Sequence, residues 1–278
     1  MKTPVSTKRS PVRSIVFAED DHLISEVVGE LLRSKGYEVH VAKDGLEALQ
    51  LIRQIKPGFV ILDIMMPKLD GSRVCWLVRQ DPALRDTPII AFSSLGTHDF
   101  RHFPNLSADA YVAKGPVTEA FQNVMLALEY LEGKEETDTA SGVFGYDHVK
   151  PRKIVGEMLA EIRRLGSVLQ ALGPGTMELD LDGRILRASV GACELLGRTE
   201  SQLVGEMVTS LCRDRDKQTL ETLVQELAQT PFPERCRAVV QFLDVEIPVL
   251  LCSIVERATC TGVFLIMEST GTPVADQP

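Results

Sequence analysis

From Ser14 to about Leu131 short apolar runs alternate with stretches of helical period, and this alternation leaves few folds open to the chain. The runs are SIVFA, YEVHVA, FVILDI, PIIAFS and AYVAK, each of a length that suits a buried strand. Between them lie HLISEVVGELLRSKG, DGLEALQLIRQI and SRVCWLVRQ. In the first of these, Leu23, Val27 and Leu31 recur at four-residue steps, which predicts the apolar face of a helix ended by Gly36. Strands that alternate with helices pair in parallel, because each helix carries the chain back across the sheet. The expected class is therefore α/β, a doubly wound five-stranded parallel sheet over residues 14–132, preceded by a flexible tail at 1–13.

A chain of 278 residues can fill two cores, and the second half reads differently from the first. Residues 133–151 are polar, break both periods and read as a linker. Over 152–172, Val155, Met158, Ile162, Leu165, Leu169 and Leu172 alternate three- and four-residue steps, the seam of a coiled coil that should stop before Gly173. Residues 173–270 mix early strands, a helical middle and late alternating strands, the mark of an α+β domain with a mainly antiparallel sheet. Residues 271–278 are expected to fray.

Charge and composition remove several classes of function. A net charge of −9 argues against wrapping nucleic acid, which needs a basic face, so no nucleic acid is expected as a partner. No run approaches the roughly 20 apolar residues that span a bilayer, and the polar N-terminus carries no leader pattern, so a cytoplasmic protein with no membrane partner is expected. The six cysteines show no zinc or redox spacing and read as small buried hydrophobes. Neither a Gly-rich nucleotide loop nor a phosphoacceptor histidine on the seam helix is present, so an enzyme is not expected.

The chemistry concentrates at the carboxyl ends of the predicted parallel strands, where open α/β sheets bind ligands. Glu19 and Asp20 follow the first strand, Asp63 the third, Ser93 the fourth and Lys114 the fifth. Three carboxylates in one crevice repel unless a cation neutralises them, and oxygen-only ligands suit Mg²⁺. With the metal in place, Asp63 can attack a phosphoryl group while Lys114 and Ser93 steady its oxygens.

These residues lie in VFAEDD, in VILDIMMPKLDG with its Asp-x-x-x-Pro-x-x-x-Gly spacing, in FSS and in AYVAK, and the ordered set resembles a response-regulator receiver domain of CheY-like, flavodoxin-like fold. The resemblance implies Asp63 as phosphoacceptor and Mg²⁺ held by Glu19, Asp20, Asp63 and the backbone carbonyl of Met65. It further implies a switch pair, Ser93 and Tyr111, and a histidine kinase or phosphotransfer protein as partner. One departure is Gly115 between Lys114 and Pro116, where the family usually has proline directly after the lysine; this leaves the isomer of that loop open. A second is apolar Met65 and Leu95, two residues past Asp63 and Ser93, with no polar group to orient an attacking water.

In the second half, DLDGRILRASVGACELLGRTESQLVGEMV resembles the start of a PAS domain, with Asp182-Gly183 as a hairpin turn and Leu195, Leu196 and Gly197 as a glycine-ended helix. Ser189 stands where such domains commonly carry asparagine, and no histidine falls here to ligate haem. The seam helix either pairs with its copy, giving a homodimer, or folds back on its own domain. The expected function is a phosphorelay response regulator acting through protein contacts of the receiver and the PAS-like domain. The alternative is a ligand-sensing scaffold whose receiver only docks.

Overall fold

The computed structural model describes residues 13–94, 106–133, 142–146, 175–243 and 245–267. The predicted seam helix over 152–172 and Leu95 lie outside the described residues. The chain divides into two compact units, Met1–Ala160 and Glu161–Pro278.

In the first unit the elements run β1 (Ser14–Ala18), α1 (His22–Ser34), β2 (Glu38–Ala42), α2 (Gly45–Ile55), β3 (Phe59–Asp63), α3 (Gly71–Gln80), β4 (Ile89–Ser93), β5 (Ala110–Ala113), α4 (Val117–Gly133) and β6 (Gly142–Phe144). Every strand pair in this sheet is parallel, and the order is β2-β1-β3-β4-β5-β6. β1, β3 and β4 are buried along their whole length, as strands covered by helices on both faces must be. Val28 and Leu32 of α1 join Ala120, Val124 and Leu128 of α4 over Ile15, Phe17, Ile61 and Phe92 on one face. α2 and α3 pack against each other, burying Leu49, Ile52, Val74 and Val78.

Two expectations need correction. The sheet has six strands, not five, because Gly142–Phe144, inside the stretch read as linker, pairs in parallel with β5. Three residues between polar stretches carry too little periodicity to announce a strand; what holds them is the unpaired edge of β5. In α1 the buried stripe is Ser25, Val28, Gly29 and Leu32, while Leu23 is 65% exposed. Both sets recur at helical spacing, and packing against the sheet selects the second.

The second unit runs β7 (Gly175–Leu179), β8 (Ile185–Ala188), α5 (Val190–Leu196), α6 (Glu200–Leu203), a 3₁₀ turn (Val208–Leu211), α7 (Asp214–Ala228), β9 (Arg235–Phe242), β10 (Val245–Glu256) and β11 (Thr259–Met267). Its five strands are antiparallel in the order β8-β7-β11-β10-β9. Inward residues of β9, β10 and β11, among them Val240, Val249, Leu251 and Leu265, meet Leu220, Val224 and Leu227 of α7 in one core. The β7–β8 turn forms as expected: Gly183 has φ 84°, and Asp180 accepts hydrogen bonds from the Asp182 and Arg184 amides at 3.0 and 2.8 Å. Gly197, at φ 61°, ends α5 in the left-handed region.

Ser189 accounts for the missing asparagine. Its hydroxyl accepts from the Ala192 amide at 3.2 Å, capping α5, and from the Thr176 amide of β7 at 2.8 Å. One short side chain thereby ties the start of α5 to the β7–β8 hairpin at the edge of the sheet.

Candidate functional site

Strand register builds the site. Ala18 pairs with Leu62, Asp63 with Phe92 and Ser93 with Ala113, so the next residues along β1 and β5, Glu19 and Lys114, meet Asp63 and Ser93 at one end of the sheet. Asp63 is 4% exposed, Glu19 1% and Ser93 0%. The three consecutive acids after β1 divide their work. Glu19 turns inward, Asp20 faces solvent, and Asp21 caps α1 by accepting from the Leu23 and Ile24 amides at 2.9 and 3.1 Å.

Lys114 links the buried acids. Its Nζ lies 2.8 Å from Asp63 Oδ2 and 2.7 Å from Glu19 Oε2, donates to Glu19 Oε1 at 2.8 Å, and sits 5.3 Å from the Phe92 ring centroid. Burial works to lower the lysine's pKa, but Asp63 and Glu19 outweigh it and the net shift is upward, so the ammonium stays charged. Burial pushes the Glu19 carboxyl up to about 7, with Lys114 opposing and Asp63 adding to the rise. Burial also raises Asp63, against Lys114 and the Met65 amide, which donates to Asp63 Oδ1 at 3.2 Å.

One ammonium among three acids leaves negative charge uncompensated. Carboxylate oxygens of Glu19, Asp20 and Asp63 lie within 4.8 Å of one another, so this cluster could hold a metal. Glu19 Oε2, although close to the ammonium, has no hydrogen-bond partner among the described residues and keeps acceptor capacity inside the site. Hard oxygen donors at this spacing fit Mg²⁺. A cleft of about 490 Å³, lined by Glu19, Asp20, Asp21, Ile24, Ser94, Lys114 and Gly115, opens the cluster to solvent.

The loop after β3 is held by two close backbone approaches. At Gly71, whose amide donates to the Ile64 carbonyl at 3.0 Å, an added Cβ would collide with the Asp63 carbonyl oxygen. At Gly45 a Cβ would collide with the Leu69 carbonyl. Lys68, at φ 62°, places Nζ 3.2 Å from Asp44 Oδ2, tying the loop to the start of α2. The Asp63…Gly71 spacing was visible in the sequence; the part played by Gly45 and Asp44, remote along the chain, was not.

Tyr111 sits in the middle of β5, between Ala91 of β4 and Val143 of β6, and its hydroxyl donates to the Leu106 carbonyl at 3.1 Å. The Met65 side chain is 49% exposed beside the site. No peptide bond among the described residues is cis, Gly115–Pro116 included. The structure thus brings Glu19, Asp20, Asp63 and Lys114 together, sets Ser93 at the same sheet end, and leaves Tyr111 one strand edge away.

Residues 15–125 match the family of the response regulator receiver domain, and residues 163–268 match the PAS fold. The polar-differentiation response regulator DivK of Brucella anthropi is 30% identical over 103 residues, 37% of this chain and 84% of that protein. The probable transcriptional regulator ycf27 of Guillardia theta is 44% identical over 101 residues, 36% of this chain and 39% of that protein. The DNA-binding dual master transcriptional regulator RpaA of Synechocystis sp. is 38% identical over 82 residues, 30% of this chain and 34% of that protein. The chain therefore spans little more than a third of the length of the latter two relatives. Among the described residues no helix is long and apolar enough to cross a membrane. With these matches, and with the acidic end of a parallel sheet built as above, the chain belongs to the response-regulator family and carries a receiver domain followed by a PAS-fold domain.

Proposed function

We propose that this chain is a phosphorelay switch in which Asp63 accepts a phosphoryl group from a histidine kinase or a phosphotransfer protein. The observation that carries the reading is the Lys114 ammonium held between Asp63 and Glu19, at 2.8 and 2.7 Å, on the solvent-reachable end of a parallel sheet. An Asp63 carboxylate oxygen forms the new P–O bond as the P–N bond of a phosphohistidine breaks, and the imidazole leaves with its electron pair and takes up a proton. Lys114 balances charge on the transferring oxygens, and the Ser93 hydroxyl hydrogen-bonds one of them. Glu19, Asp20, Asp63 and the Met65 carbonyl would hold Mg²⁺, which supplies further charge neutralisation at the phosphoryl oxygens.

Phosphorylation adds charge where Ser93 ends β4, and the Ser93–Tyr111 pair carries the change to the β5 side of the receiver. Output runs through protein contacts of the receiver and the PAS-fold domain in a cytoplasmic homodimer, a reading supported by the net charge of −9 and by the heptad pattern over 152–172.

The test is incubation with acetyl phosphate and Mg²⁺, following intact mass in wild type and Asp63→Asn while sedimentation reports assembly. Modification of wild type alone supports the proposal, and a linked change in assembly ties it to output. Absence of modification in both would leave the docking-only scaffold as the better reading.

A further inference from the structure

The outer edge of β5 is an interaction surface already taken by the chain itself. Gly142, Val143 and Phe144 pair with Ala110, Tyr111 and Val112, and the Gly142 amide donates to the Asp109 carbonyl at 3.2 Å. Side chains of paired residues share a face, so Val143, 54% exposed, flanks Tyr111. On the opposite face Phe144 packs with the core that α4 covers and meets the Tyr130 ring edge-on at 5.9 Å between centroids.

β6 also ends in a particular place. It is parallel to β5, so it runs toward the sheet end that carries Lys114 and Asp63. Gly145 lies against Ala113 and takes φ 78°; a Cβ there would meet the Asn123 side chain. The Tyr146 hydroxyl is then buried within electrostatic reach of Tyr111, and burial first, Tyr111 second, push its pKa up. A three-residue edge strand has few buried contacts and belongs to the low-stability end of any fold, so a modest change beside it shifts its population.

We infer that residues 142–146 are a clasp on the receiver's β5 edge, closed around Tyr111 in the unphosphorylated protein and loosened when Tyr111 moves on phosphorylation. The inference rests on the proposed role of Asp63 and gives that site an intramolecular reader. The residues that follow in sequence lead to the PAS-fold unit, so the first element to respond is the one joined to the output domain.

Hydrogen exchange of the full chain, followed by mass spectrometry with and without acetyl phosphate and Mg²⁺, tests this, with intact mass of the same samples giving the extent of Asp63 modification. The expected result is exchange at least severalfold faster across 142–146 in the modified wild type and no change in Asp63→Asn. Gly145→Val should exchange fast in both states while still accepting phosphate. Tyr111→Ala should open the same peptide without any phosphate. Full modification with 142–146 unchanged overturns the coupling. Absence of modification removes the Asp63 reading and the coupling with it; the contact itself then stands or falls on Tyr111→Ala, where wild-type exchange would overturn it.

Discussion

Lys114 is held where burial alone would expel a charge, and the two acids that hold it are themselves kept out of water. Such a group is defined by its partners rather than by its place in the chain, and the same logic extends to the glycine that frames Asp63. Gly71→Ala must displace the Asp63 carbonyl, so it should destabilise the receiver by about 1–3 kcal/mol in urea unfolding and slow acetyl-phosphate labelling. An unchanged midpoint would show that the loop yields freely. Met65, apolar and half-exposed beside Asp63, offers no group to orient water, so the aspartyl phosphate should persist. Met65→Asn is expected to shorten its lifetime severalfold, read from the decay of the mass shift; equal decay would remove Met65 from the control of hydrolysis. Most of the site was legible because Glu19, Asp20, Asp63, Ser93 and Lys114 all follow apolar runs whose ends a parallel sheet must bring together. Gly45 and Asp44 were not, since their role depends on contact with a loop more than twenty residues on.

Among the elements, the strands of the first unit follow the apolar runs closely because burial on both faces writes itself as continuous hydrophobicity. Helix faces and edge strands are written less clearly. In α1 two stripes share the same spacing, and only the sheet beneath distinguishes Val28 and Leu32 from Leu23. β6 has no pattern of its own and exists by pairing with an edge. In the second unit the start of α5 rests on one side-chain cap, which makes a sharp prediction. Ser189→Ala leaves the Thr176 and Ala192 amides without their acceptor and should cost roughly 1–3 kcal/mol, measured by the midpoint of thermal or urea unfolding. Ser189→Asn, which supplies an alternative acceptor, should recover part of the loss; a silent alanine variant would mean the cap adds nothing.

For the molecule as a whole, the two units each carry their own sheet and their own core. Produced separately, residues 1–160 and 161–278 are each expected to unfold in one cooperative transition by calorimetry. A fragment that melts without a transition would show that its core is completed by the other half. The parts differ, though, in what change they can absorb. The segment from Asp63 to Gly71 is gripped at both ends, by Gly71 against the Asp63 carbonyl and by Gly45 against that of Leu69. It behaves as a ruler: one residue more or fewer between these two contacts would pull Asp63 off its mark beside the Lys114 ammonium. Length is thus the quantity this loop holds fixed, and an inserted residue should disturb Asp63 even where the added side chain points to water.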